Sequence, residues 1–174
     1  MPNLITASPI LFDYMPSGTA VSNTLLESSL GVNFTIPLRF FYTGRCFKYV
    51  LRGMGSSISG VPGQLTLNTY LNSTLLCTTG PLNLTSGATN YGFEYIIDGI
   101  CITGHIGSTS GNEPNSQGPV IQADCSIGGL QIPGTTTVQP AIADPYILKT
   151  TAIFTVANAG NSVQARQASI MGMG

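Results

Sequence analysis

At 174 residues the chain is near the size of a single domain and long enough to bury most of its unfolded surface in one core. Only 7% of residues are charged, against about 25% in an ordinary soluble domain, and the net charge is −1 with six scattered Lys and Arg. That composition excludes the basic footprint of a nucleic-acid-binding protein or a membrane-surface protein; a 43% hydrophobic content excludes disorder, and no run reaches the roughly 18 apolar residues of a membrane span.

The N-terminal stretch "MPNLITASPILFDYMPSG" lacks the basic region of a signal peptide, so no targeting segment is read there. Residues 1–20 are expected as an extended arm outside a single β-sandwich of residues 21–174. Pro2, Pro9 and Pro16 keep such an arm extended, and Leu4, Ile5, Ile10, Leu11, Phe12 and Tyr14 are its candidate anchors on a partner. "AVSNTLLESSL" and "NFTIPLRFF" follow as two less regular strands. "RCFKYVLRG" alternates strictly, with Phe47, Tyr49 and Leu51 on one face. Residues 52–84 then carry one charged side chain, Arg52. Within them "QLTLNTYL" places Leu65, Leu67 and Leu71 on one face, and "STLLCTT" returns as a hairpin turning near Asn72.

"YGFEYIIDGICITGHIG" reads as a long strand whose apolar set changes face at Asp98-Gly99, so a bulge is expected there. Residues 107–118 are a polar loop and "PVIQADCSIGG" is a strand. "YILKTTAIFTVA" and "NSVQARQASI" close the chain as a hairpin turning in "NAGN". Long connections at 80–91 and 128–145 suit crossings between sheets. No helical period persists and no repeat recurs. The expected fold is all-β: a two-sheet antiparallel sandwich of eight or nine strands, a jelly roll ahead of an immunoglobulin-like alternative.

Chemistry is sparse. His105 is the single histidine; Asp124 and Glu94 are available acids, but no spacing makes a metal set with them. No nucleophile elbow, triad or glycine-rich phosphate loop is present, so no enzyme, no catalytic residue and no cofactor is expected. Tyr70, Tyr91, Tyr95 and Tyr146 can stack on sugar rings or fill the core. Cys46, Cys77, Cys101 and Cys125 show no paired spacing and are expected as buried free thiols, with disulfides open outside a reducing compartment.

The stretch from Ser29 to Gly80 resembles a module found among structural proteins of tailed bacteriophages. The likeness rests on Ile36-Pro37, Gly44-Arg45, Leu51 and Gly53. It continues through Gly60, Pro62, Gly63, Leu65, Thr66 and Leu67 to Leu75, Leu76, Thr79 and Gly80. "YGFEYIID" and Gly160-Asn161-Ser162-Val163 extend it over residues 25–170, although the module's tryptophan is absent. The resemblance implies a virion component on the particle surface: a capsid decoration or cement protein bound to the major capsid protein, typically a homotrimer. It carries over no site residue. The alternatives are a receptor- or glycan-binding tip module of a tail fibre, and a small self-assembling jelly-roll capsid protein. The last is disfavoured because the N-terminal stretch lacks the positive charge that neutralises packaged RNA. In the leading reading the charge-poor surface is covered by neighbouring copies, which spares the desolvation of buried ions.

Overall fold

The computed structural model describes residues 10–106, 116–132 and 134–173. Among the described residues thirteen strands run in chain order: β1 (Ile10–Met15), β2 (Ala20–Ser22), β3 (Ser28–Ile36), β4 (Cys46–Ser56), β5 (Gln64–Leu71), β6 (Thr74–Thr78), β7 (Leu82–Asn83), β8 (Tyr91–Thr103), β9 (Val120–Ile127), β10 (Leu130–Gln131), β11 (Thr136–Val138), β12 (Tyr146–Phe154) and β13 (Ser162–Met173). A single 3-10 turn, Leu38–Phe40, is the one helical element among the described residues.

The larger sheet has the order β1-β13-β4-β8-β9-β10, with β11 on β9 and β2 on β13; the smaller runs β3-β12-β5-β6, with β7 on β5. All pairings are antiparallel. Taking β1, β3, β4, β5, β6, β8, β12 and β13 as first to eighth strand, the sheets read 1-8-3-6 and 2-7-4-5. That is the jelly-roll pairing, extended at one edge by β9 to β11. The connections at 80–90 and 128–145 do cross between sheets, as their length implies.

Three expectations meet a different structure. Residues 10–15, expected in an arm outside the sandwich, form the first jelly-roll strand and pair with β13 from Ile10↔Gly172 to Met15↔Ala168; β2 pairs with β13 as well. The closing pair is no hairpin. β12 lies between β3 and β5 in the smaller sheet, β13 between β1 and β4 in the larger, so residues 155–161 carry the chain across the sandwich.

The third difference concerns β8. It pairs with β4 without a register shift from Gly55↔Tyr91 to Cys46↔Ile100, so no bulge interrupts Asp98-Gly99. Tyr95, Ile97, Gly99 and Cys101 continue one inward row, and a shift occurs only against β9, between Cys101 and Thr103. Gly99 holds the inward register because the Phe47 ring opposite fills its space: a Cβ there would lie 2.2 Å from the ring. The same device recurs at Gly53 beneath Phe93 and Gly55 beneath Tyr91, each a directly opposed pair.

Alternation builds the core as the sequence implies. β5 buries Leu65, Leu67, Thr69 and Leu71, and β4 buries Phe47, Tyr49 and Leu51. In β3 two extra residues oppose β12 between Val32 and Ser29; Gly31 takes φ +70° there, a conformation that favours glycine. At one end Phe41 packs edge-on against Phe40, Phe47 and Tyr146, with ring centroids 5.2, 5.9 and 5.5 Å apart. Polar groups also cross the interior. Tyr49 Oη lies 2.8 Å from Thr150 Oγ1, Thr150 Oγ1 lies 3.0 Å from Thr69 Oγ1, and Thr69 donates to Tyr95 Oη at 3.4 Å. This chain joins two strands of each sheet and satisfies hydroxyls that would otherwise cost about 1–3 kcal/mol each to bury.

Candidate functional site

The outer face of the larger sheet is built by the even-numbered positions of β4, β8 and β9. Cross-strand rows follow from the register: Met173, Cys46, Ile100 and Gln122 in one; Met171, Lys48, Asp98 and Asp124 in the next; Gln167, Arg52 and Glu94 farther along. Lys48 Nζ meets Asp98 at 3.4 Å, and Arg52 Nε donates to Glu94 at 2.6 Å. Both pairs are solvent-facing and each contributes about 0–1 kcal/mol. Their role is to neutralise the middle of the face.

Toward the end of β8 charge gives way to hydrocarbon. Ile100, Ile102 and Ile106 are 38%, 44% and 51% exposed, and Tyr42 is 42% exposed. Ile100 and Ile102 share the outer face of β8, and the β3–β4 connection that carries Tyr42 hydrogen-bonds along the end of that strand: Gly44 N–H to Cys101 carbonyl, Cys101 N–H to Arg45 carbonyl, and Gly104 N–H to Thr43 Oγ1, each at 2.8 Å. The Arg45 guanidinium stacks between two rings of that connection, 4.5 Å from the Tyr42 centroid and 5.1 Å from Phe40. Exposed apolar side chains thus follow the ion pairs toward this end of the sheet.

A concavity opens between the sheets at the other end of β8. It is a cleft of about 370 Å³ walled by Leu65, Leu84, Phe93 and Ile127, with the Tyr91 ring and Asn83 at its margin. On the outer face of the smaller sheet, the β2–β3 connection is pinned by Glu27, which accepts from Asn68 Nδ2 (2.9 Å), Tyr70 Oη (2.9 Å) and Thr151 Oγ1. Partial desolvation raises the Glu27 pKa, but these hydrogen bonds and nearby Lys149 outweigh it and hold the carboxyl below its usual range.

The residues nominated by sequence fall as follows. Leu4 and Ile5 lie outside the described residues. Ile10, Leu11, Phe12 and Tyr14 sit on edge strand β1, with a register shift between Leu11 and Asp13. His105 lies just past β8, while Asp98 and Asp124 face each other across β8 and β9 and Glu94 pairs with Arg52. Among the described residues no three His, Cys, Asp or Glu gather as a metal set. Tyr95 and Tyr146 are core residues, whereas Tyr70 faces outward and Tyr91 borders the cleft. Residues 107–115 of the polar loop lie outside the described residues. The exposed isoleucines are what the sequence reading missed, having turned those side chains inward with the expected bulge.

No known protein family matches the chain, and no curated protein does. Among solved structures, a carbohydrate esterase of the Shiga toxin-encoding bacteriophage phi24B aligns at 10% identity and TM-score 0.42, over 93% of this chain and 90% of that one. The CBM2 module of the evolved Dit of Lactobacillus casei BL23 phage J-1 aligns at 10% identity and TM-score 0.33, over 80% and 67%. Winged bean acidic lectin, complexed with methyl-α-D-galactose, aligns at 9% identity and TM-score 0.32, over 92% of both chains. At these scores the likenesses carry no argument about ligand or activity. The chain is an all-β, two-sheet antiparallel sandwich of jelly-roll pairing.

Proposed function

We propose that the chain is a bacteriophage virion structural protein that decorates the outside of the capsid shell as a homotrimer. The observation that carries this reading is the exposure of Ile100, Ile102, Ile106 and Tyr42 at and beyond the end of β8, next to a sheet face whose charges are paired. A neighbouring copy covers these side chains in the assembly, and each isoleucine, already about half-buried in the chain, contributes about 1 kcal/mol, roughly half of full burial. The sequence resemblance supplies the virion setting and the trimer. The low charge of the chain fits a surface shared among many copies. Attachment to the shell falls to the N-terminal segment before β1, through Leu4 and Ile5.

The test is binding of the purified protein to undecorated shells, read by co-sedimentation. Removal of residues 1–9 leaves β1 intact and is expected to abolish binding with circular dichroism unchanged. Undiminished binding by that truncation would take the shell contact away from this segment.

One observation favours a second reading, a glycan-binding tip module of a tail fibre: the cleft beside Tyr91 and Phe93 presents aromatic surface next to the Asn83 amide. Saturation-transfer NMR with host surface glycans would show contact at the Tyr91 and Phe93 rings, lost in Phe93→Ala. Absence of transfer from every glycan pool ends this reading.

A further inference from the structure

Two thiols from opposite sheets meet in the interior. Cys77 lies on β6, the edge strand of the smaller sheet, and Cys125 on β9 of the larger. Both point into the core, 2% and 5% exposed. The Cys125 thiol donates to the carbonyl of Thr78, the residue after Cys77, at 3.4 Å, so its sulfur lies against the β6 backbone beside Cys77. The other two cysteines are placed differently. Cys46 is on the outer face, and the Cys101 thiol donates to the Thr103 carbonyl of its own strand at 3.2 Å.

We propose that Cys77 and Cys125 are a cross-linking site, closing to an inter-sheet disulfide when the protein meets a small-molecule disulfide as oxidant. Cys125 Sγ already lies against the backbone next to Cys77, so closure to the bond length of about 2.05 Å takes side-chain rotation and an approach of edge strand β6 toward β9. Either thiol, once deprotonated, is the attacking group. It displaces one thiolate from the external disulfide and forms a mixed disulfide. The other cysteine then releases its proton to solvent and attacks the sulfur of the first, expelling the second thiolate. Two cysteine thiols are oxidised and one external disulfide is reduced to two thiols.

Access sets the rate. The pair is closed in the native state, but β6 has a strand partner on one side only, so local opening of that edge admits the reagent without global unfolding. Once made, the bond ties the free edge of the smaller sheet to the larger one and closes the loop of residues 77–125. Constraint of the unfolded chain by a loop of this length raises Tm on the order of 10 °C.

The experiment incubates the reduced full-length protein with oxidised glutathione, then blocks free thiols and maps peptides without reductant. The expected result is a Cys77–Cys125 peptide, loss of two hydrogens from the intact mass and the upward shift in Tm, all reversed by dithiothreitol. Cys46→Ser and Cys101→Ser are expected to retain all three changes, and Cys125→Ala to lose them. Because the wild-type protein alone gives the mapped peptide, the result does not depend on how any variant folds. Four unmodified thiols after prolonged incubation, a persistent glutathione adduct, or a bridge mapped to Cys46 or Cys101 would overturn the proposal.

Discussion

Glycine 99 shows how one residue decides a face. With hydrogen as its side chain it accepts the Phe47 ring from the neighbouring strand, and β8 keeps its parity through a sequence that reads as a switch. Gly99→Ala would set a methyl within the ring's volume, and the overpacking is expected to cost about 1–3 kcal/mol in urea unfolding. If the variant unfolds at the wild-type midpoint, the ring is not held there. The interior hydroxyls make a second case: Tyr49→Phe leaves Thr150 without one of its two hydroxyl partners and is expected to cost about 1–3 kcal/mol. The sign of the Glu27 effect is equally definite. Its depressed pKa means the anchoring of the β2–β3 connection is complete above its ordinary value of 4.5 and lost as pH falls through the lower folded value. Melting curves of wild type should therefore lose more stability between pH 5 and pH 3, roughly the titration range of carboxylates, than those of Glu27→Gln. Equal losses would show that the carboxylate anchors nothing.

Among the elements, those with strict alternation were legible and those whose partners lie far away were not. Phe47, Tyr49 and Leu51 on β4, and Leu65, Leu67 and Leu71 on β5, face the core as their spacing implies, and the β5–β6 turn sits at Asn72, where φ is +55°. β12 and β13 look like a hairpin because proximity in sequence favours pairing, yet each finds its neighbours in a different sheet; no local signal marks that crossing. β1 was hidden by its prolines, since Pro9 and Pro16 bracket a strand as readily as they stiffen an arm. The outward isoleucines did leave a signal. Glu94, Asp98, Ile100 and Ile102 share one parity, and the two acids already declare that face wet. The weight given to isoleucine as a core residue overrode it. Because β1 is a jelly-roll strand, truncation has two distinct outcomes. Deleting residues 1–9 should leave the thermal midpoint unchanged. Deleting residues 1–16 strips β13 of its neighbour, exposes an unpaired edge, and should lower the midpoint and promote aggregation. Equal midpoints for both truncations would mean β1 adds nothing to the sheet.

For the molecule as a whole, scarcity of charge and placement of charge act together. Lys48, Arg52, Glu94, Asp98 and Asp124 lie on one sheet face, where two ion pairs neutralise most of what they bring. Toward the end of β8 the surface is left to exposed isoleucines, with Tyr42 exposed on the connection that bonds to that strand. Branched isoleucine side chains have few rotamers to lose, so they can be buried against a second copy at small entropic cost. Sedimentation velocity at micromolar concentration tests this most directly, comparing wild type with Ile102→Asp and using circular dichroism to verify the sandwich. The expected result is a wild-type species about three times the 18.2 kDa chain mass, with the variant's association weakened by about 2 kcal/mol or more, at least roughly thirtyfold in Kd. A wild-type protein that sediments at 18.2 kDa, or a folded Ile102→Asp variant that assembles as tightly as wild type, would contradict it.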